Sequence, residues 1–282
     1  MNIAIIGAGI SGLGAAYLLS KKHEVTIFES ASRIGGHTAT KEISYENKTY
    51  EIDTGFIVFN DWTYPNFIKL LNELKVDSQD TEMSFSVKSD ITGLEYAGSN
   101  LNTLFAQRKN IFSVKYITML KEIVRFNKQA TEDLENGRVD KSITLQEYLK
   151  NNNYSDFFIS HYLIPMGSAI WSATSSSMGK FPLLFFVQFF KNHGLLNIKN
   201  RPQWKVIKGG SHAYLEPLCA SFSDRIFTDS HIKSVVRNNE GVIITMKNGQ
   251  SNQFDQVVFA CHVIGQNNRI HPATHDCGGV QL

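Results

Sequence analysis

Cysteine and proline are scarce in this sequence. Its 282 residues include three cysteines (Cys219, Cys261 and Cys277) and six prolines. Three scattered thiols cannot build a disulfide framework, which fits a reducing, cytoplasmic compartment. Neither sign of charge dominates. Lys and Arg total 28 against 26 Asp and Glu, a formal net charge of +2, so no broad electrostatic footprint for nucleic acid is expected. No apolar run reaches the roughly 20 residues that a membrane-spanning helix needs. The greasiest stretch, residues 183–190, is interrupted by Gln188 and followed by Lys191. The apolar start (1–20) lacks the basic leader of a signal peptide, and Lys21 and Lys22 follow it instead of preceding it. Metal-ligand spacing is also missing: His271, His275 and Cys277 have no matching second half, so no metal is expected.

Apolar residues are plentiful. They make up 42% of the chain, with 19 Phe and 10 Tyr, enough for a large core in one domain or two interleaved ones. The first forty residues carry the densest signal. Asn2 to Ile6 (NIAII) reads as a buried parallel strand. Gly7-Ala8-Gly9-Ile10-Ser11-Gly12 follows with G-x-G-x-x-G spacing, then an Ala/Leu-rich helix, then a second strand, Glu24 to Phe28, with Glu29 at its tip. Gly7 permits the tight turn, Gly9 lets backbone approach a pyrophosphate, and Gly12 lets the helix lie against the strand. The helix start offers N–H groups to phosphate. Glu29, 17 positions after Gly12, can accept ribose hydroxyls and would repel a 2′-phosphate. A glycine-rich turn without a ligand would explain the glycines but not the acid.

Past Glu29 the chain reads Ser30-Ala31-Ser32-Arg33-Ile34-Gly35-Gly36-His37-Thr38. A G-x-G-x-x-G cradle, an acid and then R-x-G-G resembles the flavin-containing amine oxidase superfamily, and protoporphyrinogen oxidases and carotenoid desaturases are similar here. The resemblance implies FAD as cofactor, with Ser30, Arg33, Gly35, Gly36, His37 and Thr38 lining its pyrophosphate and ribityl chain. Many amine oxidases carry Arg where this chain has His37. Asp53-Thr54-Gly55-Phe56 looks like the superfamily's D-x-G turn, placing Gly55 and Phe56 beside the flavin ring; from spacing alone it is equally a strand with a turn glycine. Ile232 is carried over by position as a backbone partner of adenine. NAD is the other cofactor the motif allows.

Two stretches, 66–74 and 114–126, have apolar residues at helical spacing, as packed helix faces do, and short strands are expected near 83–87 and 94–97. The stretch 155–204 resembles a bacterial branch of the superfamily, and also the flavin domain fused to plant cyclopropane fatty acid synthases. Its aromatics suit an apolar pocket, with Trp171, His193 and Trp204 as candidate walls. Phe185, Phe186, Phe189 and Phe190 read as an ordinary buried helix, and His193 as a structural histidine. Lys208-Gly209-Gly210 precedes an expected helix over 212–221, whose start could face the cofactor.

The expected fold is α/β: a Rossmann-like FAD-binding domain (1–62 and 205–262) with an inserted α+β substrate domain (63–204). The resemblance fails after His262. Residues 263–282 are an unassigned tail, and relatives continue for longer, so the chain is expected to be incomplete at its C-terminus. The expected function is an FAD-dependent oxidoreductase taking a hydride from a small hydrophobic substrate and passing electrons to oxygen or another acceptor. No catalytic residue and no oligomeric state is assigned, and peripheral membrane contact is left open. The alternatives are a catalytically inert dinucleotide-binding fragment and an NAD-dependent dehydrogenase.

Overall fold

The computed structural model describes residues 1–261 and the two-residue strand Ile270–His271. The tail 263–282 lies outside these apart from that strand, as do the side chains of His271, His275 and Cys277. The chain divides into two compact units. One comprises Met1–Val58, Asn66–Gln79 and Val206–Leu282; the other comprises Phe59–Pro65 and Asp80–Lys205.

The first unit is built on a parallel sheet. Strand β1 (Asn2–Ile6) lies between β2 (Glu24–Phe28) and Gln256–Phe259, and Ile226–Phe227 extends the sheet beyond β2. Unbroken apolar runs suit such strands because both faces are covered. Helix α1 (Ile10–Leu19) covers one face, burying Gly12, Leu13 and Ala16. An antiparallel meander, Ile232–Asn238, Gly241–Met246 and Ser251–Phe254, covers the other. Its inward residues alternate as the pleat demands. Ile232, Val235, Val242, Ile244, Met246 and Phe254 meet Ala4, Ile6 and Phe28 in one core.

A hairpin of β3 (Thr40–Tyr45) and β4 (Lys48–Asp53) projects from this unit. Its two turn residues, Glu46 and Asn47, have left-handed φ of 49° and 60°, as a tight two-residue hairpin turn requires. The helix expected over 212–221 is shorter and in two pieces: a 3₁₀ turn, Ser211–Tyr214, then a helix, Leu215–Cys219. Pro217 has no N–H to close on Ala213, so a single α-helix cannot run through both.

The second unit is largely helical. The long helix Val114–Glu135 starts where the Ser113 hydroxyl accepts the Tyr116 N–H at 3.3 Å. Leu145–Asn151 starts with a capping box. The Glu147 carboxylate accepts the Thr144 N–H at 2.8 Å, and the Thr144 hydroxyl accepts the Glu147 N–H at 3.3 Å. Leu183–Asn192 buries Leu183, Phe186, Val187 and Phe190 and turns Phe185 outward, the i, i+3, i+4, i+7 pattern of an ordinary core helix. These faces join Tyr116, Met119, Phe126, Tyr148 and Phe158 in one core. A π-turn at Ile159–Leu163 precedes the helix Ile164–Trp171. Pro165 cannot donate to the His161 carbonyl, which accepts the Tyr96 hydroxyl at 2.8 Å instead.

Burial pushes the phenols of Tyr116, Tyr154 and Tyr162 up to about 12, and that of Tyr148 higher still. A folded-state pKa raised above the unfolded value of about 10 contributes stability below pH 10 that is lost as pH rises toward 12. Tyrosinate absorbance should therefore lag free tyrosine on alkaline titration. It should then rise together with loss of the helical circular dichroism signal, and smooth titration near pH 10 with structure retained would contradict this core.

Candidate functional site

The glycine turn is held from below and from the side. The Gly7 N–H donates to the Phe28 carbonyl at 2.8 Å, joining the ends of β1 and β2. Gly7 has φ +105°, and a Cβ there would sit 2.6 Å from the Ala260 carbonyl oxygen. A Cβ on Gly12 would lie 1.9 Å from the Gly7 oxygen, so α1 can approach the turn only because residue 12 has no side chain.

Gly9 differs from both. Its backbone is extended (φ −79°, ψ −179°), a conformation open to any residue, and an added Cβ would meet only the Gly36 Cα at 4.0 Å. Nothing inside the described fold requires glycine there. Gly9 is also the N-cap of α1 and supplies no side-chain cap, so the helix's first turn, with exposed Ile10 and Ser11, begins without one. Bare backbone, free space and an uncapped helix start fit a diphosphate held by main-chain N–H groups.

Glu29 points into this turn. One carboxylate oxygen accepts the Ala8 N–H at 2.8 Å, and the other accepts the Ala31 N–H at 2.9 Å and the Ser30 hydroxyl at 3.3 Å. A carboxylate has about four acceptor positions, so capacity remains for ribose hydroxyls. The segment leading to Ile232 runs alongside: the Glu29 N–H donates to the Phe227 carbonyl at 2.9 Å, and the Ser230 N–H to the Glu29 carbonyl at 2.8 Å. The Ile232 side chain is buried in the meander core, beside a break in the strand ladder between Ile232 and Ser234.

The second glycine loop is fastened to the first through backbone. The Gly35 N–H donates to the Ala8 carbonyl at 2.7 Å, and a Cβ on Gly36 would lie 3.1 Å from the Gly9 Cα. The Arg33 guanidinium clasps its own loop, donating to the carbonyls of Gly36 at 2.9 Å, Thr38 at 3.2 Å and Ile34 at 3.4 Å. The His37 carbonyl accepts the Phe56 N–H at 2.9 Å, and a Cβ on Gly55 would strike that oxygen at 2.2 Å. Thus Gly55 and Phe56 pack directly on the R-x-G-G loop. The Thr38 hydroxyl, buried, meets the Tyr214 hydroxyl at 2.5 Å.

Asp53 does more than begin a turn. Its Oδ1 accepts the Ser211 N–H at 2.8 Å, the Ser211 hydroxyl at 2.8 Å and the Thr40 hydroxyl at 2.6 Å. The start of the 3₁₀ turn, which the sequence leaves free to face a cofactor, is thereby occupied from within the protein. No spacing rule links positions 53 and 211. The signal that could have pointed there is Gly209-Gly210, whose φ of +78° and +83° mark a turn that must fold back on something.

The three candidate pocket walls lie in the second unit. Trp171 sits among Phe181, Phe186 and Phe189, with ring centroids 4.8, 5.6 and 4.8 Å away. His193 stacks on Phe189 at 4.0 Å, and its Nδ1 lies 3.0 Å from the Phe189 carbonyl, so Nδ1–H is the donor. Trp171 and His193 thus share Phe189. Trp204 is elsewhere, on the strand Trp204–Ile207, where it pairs with Asn60. Among the described residues no group of His, Cys, Asp or Glu could hold a metal ion, and no helix is long and apolar enough to cross a membrane. Burial pushes the Cys219 thiol up to about 11.

Residues 10–265 match the model of the flavin containing amine oxidoreductase family. AofH of Mycobacterium tuberculosis, named as a flavin-containing monoamine oxidase, is 22% identical over 267 residues, covering 89% of this chain and 55% of that protein. Cyclohexylamine oxidase from Brevibacterium oxydans superposes with a TM-score of 0.69 at 18% identity, over 95% of this chain and 60% of that one. A fatty acid isomerase from P. acnes that produces CLA gives 0.64 at 17% identity, over 95% and 60%. The chain therefore spans a little over half the length of these relatives. The structural likeness bears out the α/β expectation of a Rossmann-like FAD-binding fold.

Two substitutions separate folding from binding. Gly12→Ala should destabilise the first unit by about 3 kcal/mol, read by chemical denaturation, because the new methyl collides with backbone. Gly9→Ala should leave stability unchanged yet weaken dinucleotide binding by at least about tenfold, roughly 1.4 kcal/mol, in a fluorescence titration. Equal stability losses would mean that Gly9 serves packing alone. Asp53→Ala strands three donors and should cost about 3 kcal/mol by the same denaturation assay, with Asp53→Asn intermediate.

Proposed function

The chain belongs to the flavin containing amine oxidoreductase family, whose cofactor is FAD, and from that premise we propose that its first unit holds FAD for a two-electron oxidation of a hydrophobic substrate. The observation that carries this reading is Gly9: a glycine with ordinary backbone angles and empty space where a side chain would be. It stands where a diphosphate must come close to main chain.

The residues divide the work. Gly7 to Gly12 and the start of α1 would receive the diphosphate through N–H groups. The helix start adds a favourable field for negative charge. Glu29, already oriented by Ala8 and Ala31, would accept the adenosine ribose hydroxyls. The backbone near Ile232 would meet the adenine. Arg33 keeps the R-x-G-G loop closed, so that Gly35, Gly36, His37 and Thr38 present backbone toward the rest of the cofactor. Gly55 and Phe56 form the next layer, tied to His37. Bound FAD supplies the capacity to accept two electrons from a substrate C–H bond; the protein supplies position and dryness.

A hydrophobic substrate accords with the aromatic wealth of the second unit, the proposed substrate domain. There Trp171 and His193 share Phe189 as candidate walls, with Trp204 as a separate one. The match is to a flavin family, and it favours FAD over NAD. A cytoplasmic, cysteine-poor protein fits the same proposal.

Purified protein should carry the yellow flavin absorbance, or acquire it with added FAD, and should bleach with dithionite. Titration with NAD should leave the intrinsic fluorescence unchanged. Colourless protein that takes up no FAD would overturn the proposal and favour an inert fragment, whereas quenching by NAD alone would favour a dehydrogenase.

A further inference from the structure

The chain enters the long helix Val114–Glu135 through a 3₁₀ turn, Arg108–Phe112, in which side chains three apart stand above one another. Gln107, Asn110, Ser113 and Tyr116 take the inward positions. The Gln107 side-chain oxygen accepts from the Asn110 Nδ2 at 3.2 Å and from the Glu95 N–H at 3.2 Å. The Ser113 N–H donates to the Asn110 carbonyl at 3.1 Å, and the Tyr116 hydroxyl to the Leu104 carbonyl at 2.5 Å. Between these pins the chain turns three pairs outward: Arg108 with Lys109, Ile111 with Phe112, and Val114 with Lys115. Ile111, Phe112 and Val114 are exposed by 48, 87 and 80%. Single exposed apolar residues are ordinary, but three within four positions, held out by bonds on the opposite side, form a patch.

Charge is sorted along the same segment. No Asp or Glu occurs from Tyr96 to Lys121, while Arg108, Lys109, Lys115 and Lys121 all lie there. Lys121 comes seven residues after Val114, two turns along the same helix face. Among the described residues none of these four cations belongs to an ion pair. Glu122 is buried, and its carboxylate accepts the Ser155 N–H at 2.9 Å and Arg125 at 3.4 Å. Glu95, on the hairpin beside Gln107, pairs with Lys88 at 3.6 Å, and Asp90 is the exposed acid of that hairpin's turn. Asp156 starts the short helix bonded at Glu122, about 12 Å along the axis from Val114. In a chain whose net charge is only +2, the segment is therefore locally basic.

We propose that this tip, Ile111, Phe112 and Val114 flanked by Arg108, Lys109, Lys115 and Lys121, docks on an anionic lipid bilayer. The three apolar side chains enter the boundary between headgroups and acyl chains, where burial removes them from water. The cations reach outward on long apolar stems and set their charged ends at lipid phosphates. The complementary surface is thus negative at its rim and apolar beneath, as an anionic bilayer is. A symmetric contact between two copies would bring cations onto cations. A nucleic acid would answer the cations through its phosphates but leave Ile111, Phe112 and Val114 without an apolar partner. All seven residues belong to the second unit and the glycine loops to the first, so the inference stands whether or not FAD is held.

Co-sedimentation of the full chain with vesicles tests this. Binding is expected to vesicles of phosphatidylcholine mixed with phosphatidylglycerol, weakened by added salt, and not to phosphatidylcholine alone. Lys109→Glu with Lys115→Glu should weaken vesicle binding by about tenfold or more. Phe112→Ser with Val114→Ser should do likewise at unchanged thermal midpoint, because both side chains are exposed and lie outside the core. The charge-reversed variant keeps every apolar residue and stays informative even if the serine variant folds poorly. Three results would overturn the inference: no sedimentation with anionic vesicles, wild-type sedimentation of either variant, or retention of a DNA duplex in place of vesicles at the same salt.

Discussion

The cradle depends on backbone touching backbone. Ala8 donates its N–H to Glu29 and accepts the Gly35 N–H, so one residue ties the first glycine turn to the acid and to the second glycine loop. Such contacts need neighbouring chains closer than any Cβ permits, which is why five glycines of the cradle (7, 12, 35, 36 and 55) stand where a methyl would fall within about 3 Å of another backbone atom. Each loop is bonded to its neighbour through backbone, and the Arg33 and Glu29 side chains add clasps of their own.

A second constraint works at a distance. The Asp53 carboxylate takes three donors from two parts of the chain, Thr40 and Ser211, the latter 158 positions from Asp53. One of its partners, Thr40, begins the hairpin that Asp53 ends. The hairpin, the 3₁₀ turn at Ser211 and the Gly55 packing on His37 are thus one connected assembly. Tyr214, three residues past Ser211, closes it from the other side through Thr38. The hairpin is held at its base by these hydrogen bonds, and beyond it residues 41–45 and 48–52 are exposed on both faces.

The helical unit obeys different physics. Its core is made of aromatic faces at helical spacing, and its polar groups serve mainly as caps and clasps. The capping box at Thr144 and Glu147 and the π-turn before Pro165 are local answers to local problems of unpaired backbone groups. Trp171 and His193 meet through Phe189 because the helix Leu183–Asn192 carries residues 189 and 193 one turn apart.

Local order along the chain was readable from residue types alone. The strand, glycine turn, helix, strand and acid over residues 2–29 lie where their spacing predicts, because period and turn chemistry act over a few neighbours. The helix face at 183–190 was legible for the same reason. The division of the helix near 211–219 turned on one missing N–H at Pro217, a local cue outweighed by the apolar pattern around it. The bond from Asp53 to Ser211 and the clasp of Arg33 on the carbonyls of its own loop, where the resemblance implies a lining of the pyrophosphate, were not legible. Each depends on which distant backbone comes within hydrogen-bonding reach, and that is set only when the sheet and the two glycine loops have packed together. The residues by themselves determined that a strand, glycine turn, helix, strand and acid would form at the start of the chain; tertiary packing decided which groups hold that turn to its neighbours, because a carboxylate or guanidinium binds whatever donor or acceptor the fold delivers to it.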